Sequence, residues 1–161
     1  MLLSALLIGV GATVVMDSWG VVRERWLGIA RPDYRLVGRW VGHMPRGRFR
    51  HDSIKTALPV RGEHLLGWGV HYLTSIAFAG LLLAGWGMAW VAQPTPGPAL
   101  LVGLGTVAAP FLLMQPGMGA GLAARRTPNP NAARRQSLVT HAVFGLGLYL
   151  SAWLARGLLL P

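Results

Sequence analysis

The sequence has no cysteine, which excludes a disulfide framework, a thiolate metal site and a cysteine nucleophile. It has five acidic residues and a single lysine, Lys55, against fourteen arginines. Above all it lacks any formally charged side chain from Leu65 to Ala124, a stretch whose one imidazole is His71. Soluble domains do not sustain so long an ion-free run. With 53% hydrophobic and only 12% charged residues, the composition points to an integral membrane protein. The preference for arginine over lysine, with abundant Gly and Ala, favours a GC-rich bacterial source.

What charge there is comes in blocks. Ten of the fifteen cations lie between Arg23 and Arg61, four lie between Arg125 and Arg135, and Arg156 stands alone. A net charge of +10 would raise nucleic-acid binding in a soluble protein, but cations in short loops beside apolar runs are the signature of cytoplasmic loops. No nucleic-acid partner is expected.

A helix needs about 20 apolar residues to cross a hydrocarbon core. Met1 to Val22 carries only Asp17, and the ion-free stretch is cut by the helix breakers QPTPGP at Gln93 to Pro98. The fold class expected is an all-α membrane protein, four transmembrane helices in an up-down bundle with an amphipathic cytoplasmic loop helix. It is read as one four-span domain over residues 1–161, with spans at about 2–22, 65–91, 99–122 and 136–154 and a cytoplasmic loop at 23–64. The start MLLSALLIG has no basic n-region, so the first run reads as a mature helix, not a cleaved signal. The two loops holding fourteen cations are expected in the cytoplasm of a bacterial inner-membrane protein, leaving both termini and the Gln93–Pro98 turn periplasmic.

Small residues four apart, Gly9 with Thr13, Gly80 with Ala84 and Gly117 with Gly121, suit close helix packing. Trp19, Trp26, Trp86, Trp90 and Trp153 fall near span ends, where indole suits the headgroup boundary. In the first loop, DYRLVGRWVGHM places Leu36, Val37, Trp40, Val41 and Met44 on one helical face, with Arg35, Arg39, His43 and Arg46 on another. That pattern predicts an interfacial helix whose Arg35, Arg39 and Arg46 meet anionic lipid, the alternative being a face that covers the span ends. His43, His51 and His64 are too dispersed to form a metal cluster and read as solvated loop histidines. In RRTPNPNAARR, two prolines flank Asn129, and Asn131 is expected to cap the fourth span. Arg125, Arg126, Arg134 and Arg135 suit a phosphate headgroup, although setting topology is role enough for them.

The segments VGRWVGHMPRGRF (37–49), PVRGEHLLGWGVHY (59–72), APFLLMQPGMG (109–119), RRTPNPNAARRQS (125–137) and LVTHAVFGLGLYL (138–150) together resemble a bacterial membrane family of unknown function, DUF2938. The resemblance covers essentially the whole chain. It implies a multi-pass bacterial protein and carries no catalytic residue, cofactor or substrate across.

Chemistry must therefore be read from polar groups inside the spans, where each is expensive. Asp17, His71 and His141 sit at similar depths, about 9–12 Å from the cytoplasmic boundary at about 1.5 Å per residue. Gln115 is a less certain fourth member. Pro110 and Pro116-Gly117 are placed to break the third span. Three readings follow: a structural hydrogen-bonded network, a binding or transport site for a proton or small polar solute with Asp17 titrating, or a redox site. In the last, His71 and His141 ligate haem, or with Asp17 a divalent transition metal. Hydrolysis is disfavoured because Ser75 and Ser137 have no oxyanion-type glycine turn beside them. The expected function is a non-enzymatic membrane protein that binds or moves a small polar solute, with anionic lipids as partners. A homo-oligomer or a subunit's place in a larger membrane complex is left open.

Overall fold

A computed structural model describes residues 1–159, which form helices and connecting turns with no strand among them. The main helices are α1 (Leu2–Leu27), α2 (Tyr34–His43), α3 (Glu63–Ala92), α4 (Pro96–Gly105), the short α5 (Gln115–Gly117) and α6 (Pro130–Leu159). Four stretches are long and apolar enough to cross a membrane: Leu2–Leu27, Glu63–Ala92, Pro96–Gly117 and Pro130–Leu158.

The ends depart from expectation for local reasons. α1 runs past Val22 through Arg23, Glu24 and Arg25, because charged residues do not stop a helix; Gly28 does, with φ 64° in the left-handed region. Arg23 is buried, and its Nη2 donates to the Ala30 carbonyl at 2.9 Å, so the first cation after the span closes the helix end. α6 begins at Pro130, six residues before Gln136. Its cap is Asn129, whose Oδ1 accepts from the Ala132 N–H at 3.2 Å, and not Asn131, whose side chain accepts from Arg134. The third span breaks as the prolines implied. α4 stops at Gly105, Pro110–Met114 makes a π-helical turn, and helix ends at Gly117, short of Leu122. Beyond it Gly119 (φ 95°) and Gly121 (φ 74°) adopt backbone that continues no helix.

The chain divides into two compact units. Unit 1 comprises Met1–Arg31, Tyr72–Thr106 and, of the described residues, 138–159. Its core is Ile8 and Ala12 of α1, Ala79, Leu82 and Leu83 of α3, Ala99 of α4, and Phe144, Leu148 and Ala152 of α6. Small residues allow the helices to approach: a Cβ on Gly9 would strike the Ile76 backbone, and one on Gly103 the Gly145 backbone. Gly80, expected at such a contact, faces open space. Trp90 is buried at 5% exposure, and its Nε1 donates to the Thr95 carbonyl to fasten the turn before α4. Leu2, Leu73, Leu81, Leu101, Leu150 and Leu154 point outward, an apolar exterior suited to lipid.

Unit 2 comprises residues 32–71 and 107–137. Asp33 caps α2 by accepting from the Arg35 N–H, and the helix forms where the amphipathic pattern placed it. Its docking departs from the interfacial picture. A Cβ on Gly38 would fall on the Glu63 carbonyl oxygen and one on Gly67 on that of Tyr34, so α2 and the first turns of α3 meet backbone to backbone. The Arg39 side chain, expected to reach lipid, is only 13% exposed; it forms a bidentate ion pair with Glu63 at 2.8 and 2.9 Å and donates to the Ile54, Lys55 and Ala57 carbonyls. Arg35 pairs with Asp33, and Arg46 is exposed.

Candidate functional site

The second half of unit 2 is tied to the first through its backbone. His51 N–H donates to the Gly117 carbonyl at 2.9 Å and Ile54 N–H to that of Met118 at 3.0 Å. Glycine is required here: Trp40 lies on Gly117, and a Cβ on Gly119 would meet the Asp52 carbonyl. Trp40 Nε1 donates to the Phe49 carbonyl, holding the loop from the other side. Arg50 and His51 are thereby brought opposite the segment that carries Arg125 and Arg126.

Residues 121–124 present those two arginines in a strained conformation. Ala123 (φ 44°) and Ala124 (φ 60°) occupy the left-handed region, which costs a side-chain-bearing residue on the order of 1 kcal/mol each. Local hydrogen bonds hold it: Arg126 N–H to the Ala120 carbonyl at 2.8 Å, and Arg134 Nε to that of Ala123 at 2.8 Å. Gly121 gives the room, since a Cβ there would press on the Cγ atoms of both Arg125 and Arg126. The result is a cavity of about 360 Å³ lined by Arg50, His51, Asp52, Pro116, Gly121, Leu122, Arg125 and Arg126. Three arginines against one aspartate, Asp52, give its lining an excess of positive charge.

Beside this cleft two histidines meet. His43 is buried, with 4% exposure, and its Nε2 lies 3.0 Å from the Leu58 carbonyl. A carbonyl only accepts, so Nε2 carries a proton, and in the neutral ring the lone pair is then on Nδ1. The His51 ring lies 5.1 Å away edge-on, at 62°. His43 Nδ1 and His51 Nε2 are both buried without a hydrogen-bond partner. Orphaned buried polar atoms cost about 1–3 kcal/mol each and are rare enough to require a reason. Burial, then His43 and Arg48, push the His51 pKa below its ordinary value, so the ring is mostly neutral near pH 7. The expectation of solvated loop histidines thus fails for this pair, while His64 is exposed and accepts from Trp68 Nε1 at 3.3 Å.

The four intramembrane candidates each have a definite setting. In unit 1, His141 Nδ1 lies 3.1 Å from Thr106 Oγ1 and 3.2 Å from the Gly103 carbonyl, tying α6 to α4, and Asp17 hydrogen-bonds to Tyr72. In unit 2, His71 stacks on Tyr34 at 4.1 Å with Trp68 edge-on, and the Gln115 Oε1 is buried without a partner. Among the described residues no group of three or more His, Asp or Glu gathers to hold a metal ion.

The family described as "Protein of unknown function (DUF2938)" matches residues 6–155. The chain belongs to the DUF2938 family. No curated protein and no solved structure matches it. For this DUF2938 chain, function therefore has to be argued from the site. Sequence reasoning had named Arg125 and Arg126 as suited to a phosphate but had not joined them to Arg50 or His51. The only signal for that junction was the run of glycines at 117, 119 and 121, whose close approaches appear once the chain is folded.

Proposed function

We propose that this protein is a non-enzymatic bacterial inner-membrane protein that binds a phosphate-bearing anion in the arginine-lined cleft at its cytoplasmic surface. The observation that carries the reading is convergence: Arg50 from the first charged loop and Arg125 and Arg126 from the second line one cavity of about 360 Å³. Cations spread only to set topology would repel one another apart; strained backbone directs two of these into the same space as a third. The volume lies in the range of small-ligand pockets and suits a phosphate ester or a phospholipid headgroup. This specifies the small polar solute expected from the sequence as an anion and moves its site from the span interior to the loops. Arg35 and Arg39, held by Asp33 and Glu63, are not its ligands.

The test uses the full chain in mild detergent. Inorganic phosphate titrated by calorimetry reports the free anion, and nanodiscs with or without anionic phospholipid report the headgroup. Losing one charge-assisted hydrogen bond removes about 1.5–3 kcal/mol, or about 10- to 100-fold in affinity, so Arg125→Gln and Arg126→Gln should each weaken binding by that factor and Arg156→Gln should not. Binding should also weaken with salt. Wild-type protein that takes up neither form, or cleft variants that bind as wild type does, would remove the reading.

A cytoplasmic cleft requires the topology that the cations imply. Alkaline-phosphatase fusions are expected to be active at Gln93 and inactive at Asn129. The reverse pattern would place the cleft in the periplasm.

A further inference from the structure

We propose that His43 Nδ1 and His51 Nε2 are two ligands of a divalent late first-row transition-metal site whose remaining positions open toward the cleft that His51 lines. Three observations converge. The first is the fixed tautomer of His43: its Nε2–H donates to the Leu58 carbonyl at 3.0 Å, which leaves Nδ1 as a lone-pair donor in a ring that cannot easily turn. Metal-bound histidines are oriented in this way, with the far N–H given to a backbone carbonyl. The second is that His43 Nδ1 and His51 Nε2 are both buried and lack a hydrogen-bond partner.

The third is spacing. A metal about 2.0–2.1 Å from each nitrogen stands about 3.2 Å from each ring centroid, so a tetrahedral angle sets the two centroids about 5.2 Å apart. The observed separation is 5.1 Å. Ordinary ring packing also allows that distance, but packing alone gives no reason to bury two unpaired nitrogens. Imidazole selects zinc, copper, nickel or cobalt over magnesium and calcium, which prefer oxygen. Two histidines leave two tetrahedral positions for water or an exogenous oxygen ligand, one more than an open site with three protein ligands leaves. Asp52, adjacent to His51 and on the cleft wall, offsets part of the arginine field that a cation would meet.

The proposal does not rest on the anion reading, which is to be repeated on chelator-stripped protein to keep the two apart. The full chain, purified without a histidine tag in mild detergent and stripped with chelator, is titrated with Co²⁺. The expected result is the intense visible absorption of four-coordinate Co²⁺ at one equivalent per chain, displaced by Zn²⁺. His43→Gln and His51→Gln should each weaken binding by more than the roughly 10- to 100-fold that losing an outer hydrogen-bond partner costs. His64→Gln and His141→Gln should leave it unchanged. Thermal unfolding guards against misfolding: Zn²⁺ should raise Tm in wild type and leave it unmoved in His51→Gln, whose half-buried ring makes it the safer variant should His43→Gln not fold. Absence of a stoichiometric Co²⁺ spectrum, or a folded His51→Gln that binds as tightly as wild type, overturns the site.

Discussion

Replacing Gly38 with alanine is expected to lower the unfolding temperature in detergent sharply, corresponding to a loss of about 3 kcal/mol or more. In an unencumbered helix the same change would help, since glycine is roughly 0.5–1 kcal/mol worse than alanine. Here the added methyl would lie on the Glu63 carbonyl oxygen and against the Gly67 nitrogen, and neither atom belongs to a side chain that can turn away. The whole of α2 would have to lift from α3. Overpacking that moves backbone costs about 1–3 kcal/mol and sometimes more, and lifting α2 also parts Arg39 from Glu63 and Tyr34 from His71. Gly67→Ala should behave alike, because its methyl would meet the Tyr34 carbonyl. Gly69→Ala, with open space at its Cβ, is the control and should stabilise slightly. An unchanged Tm for Gly38→Ala would show that α2 does not dock in this way.

Arg39→Ala should cost about 2–4 kcal/mol, somewhat less than the 3–5 kcal/mol for breaking a fully buried pair, because the two side chains retain 13% and 15% exposure. The loss has two parts. Glu63 keeps a charge with its bidentate partner gone, and the carbonyls of Ile54, Lys55 and Ala57 lose a shared donor. Arg39→Lys should recover little, since an ammonium cannot present two parallel N–H groups to one carboxylate. A double-mutant cycle with Glu63→Gln, followed by thermal unfolding in detergent, should show coupling of about 1–3 kcal/mol, the paired change costing less than the sum. Additive effects would mean that Arg39 is free to face lipid, as its place on the helical wheel had suggested.

That arginine marks the limit of periodicity. A 3.6-residue pattern says which side chains share a face, and α2 formed where the pattern put it. It does not say what the face will meet. The polar face was assigned to headgroups because nothing in the sequence signalled that Glu63, 24 residues on, would return to it. The fourth helix shows a smaller error of the same kind. Asn131 and Asn129 are both good caps by type, and Pro130 at the first helical position decided for Asn129. For His43 and His51 the sequence offers only a basic loop, in which a solvated histidine is the commoner case. Burial came from the hydrogen bonds of residues 51 and 54 to residues 117 and 118.

By itself the sequence determined the properties that depend on local composition and short-range sterics. Four apolar helices follow from runs longer than a bilayer core requires, the break in the third from its prolines, and the two basic loops from the placement of fourteen cations. Those features need no knowledge of what packs on what. Only the tertiary structure decided that the basic loops share one cleft, that Arg39 belongs to Glu63, and that two histidine nitrogens are buried together. Each depends on backbone segments approaching closer than any side chain would allow, at Gly38 with Gly67 and at Gly119, and a glycine in a sequence does not name the atom that will occupy the space it leaves.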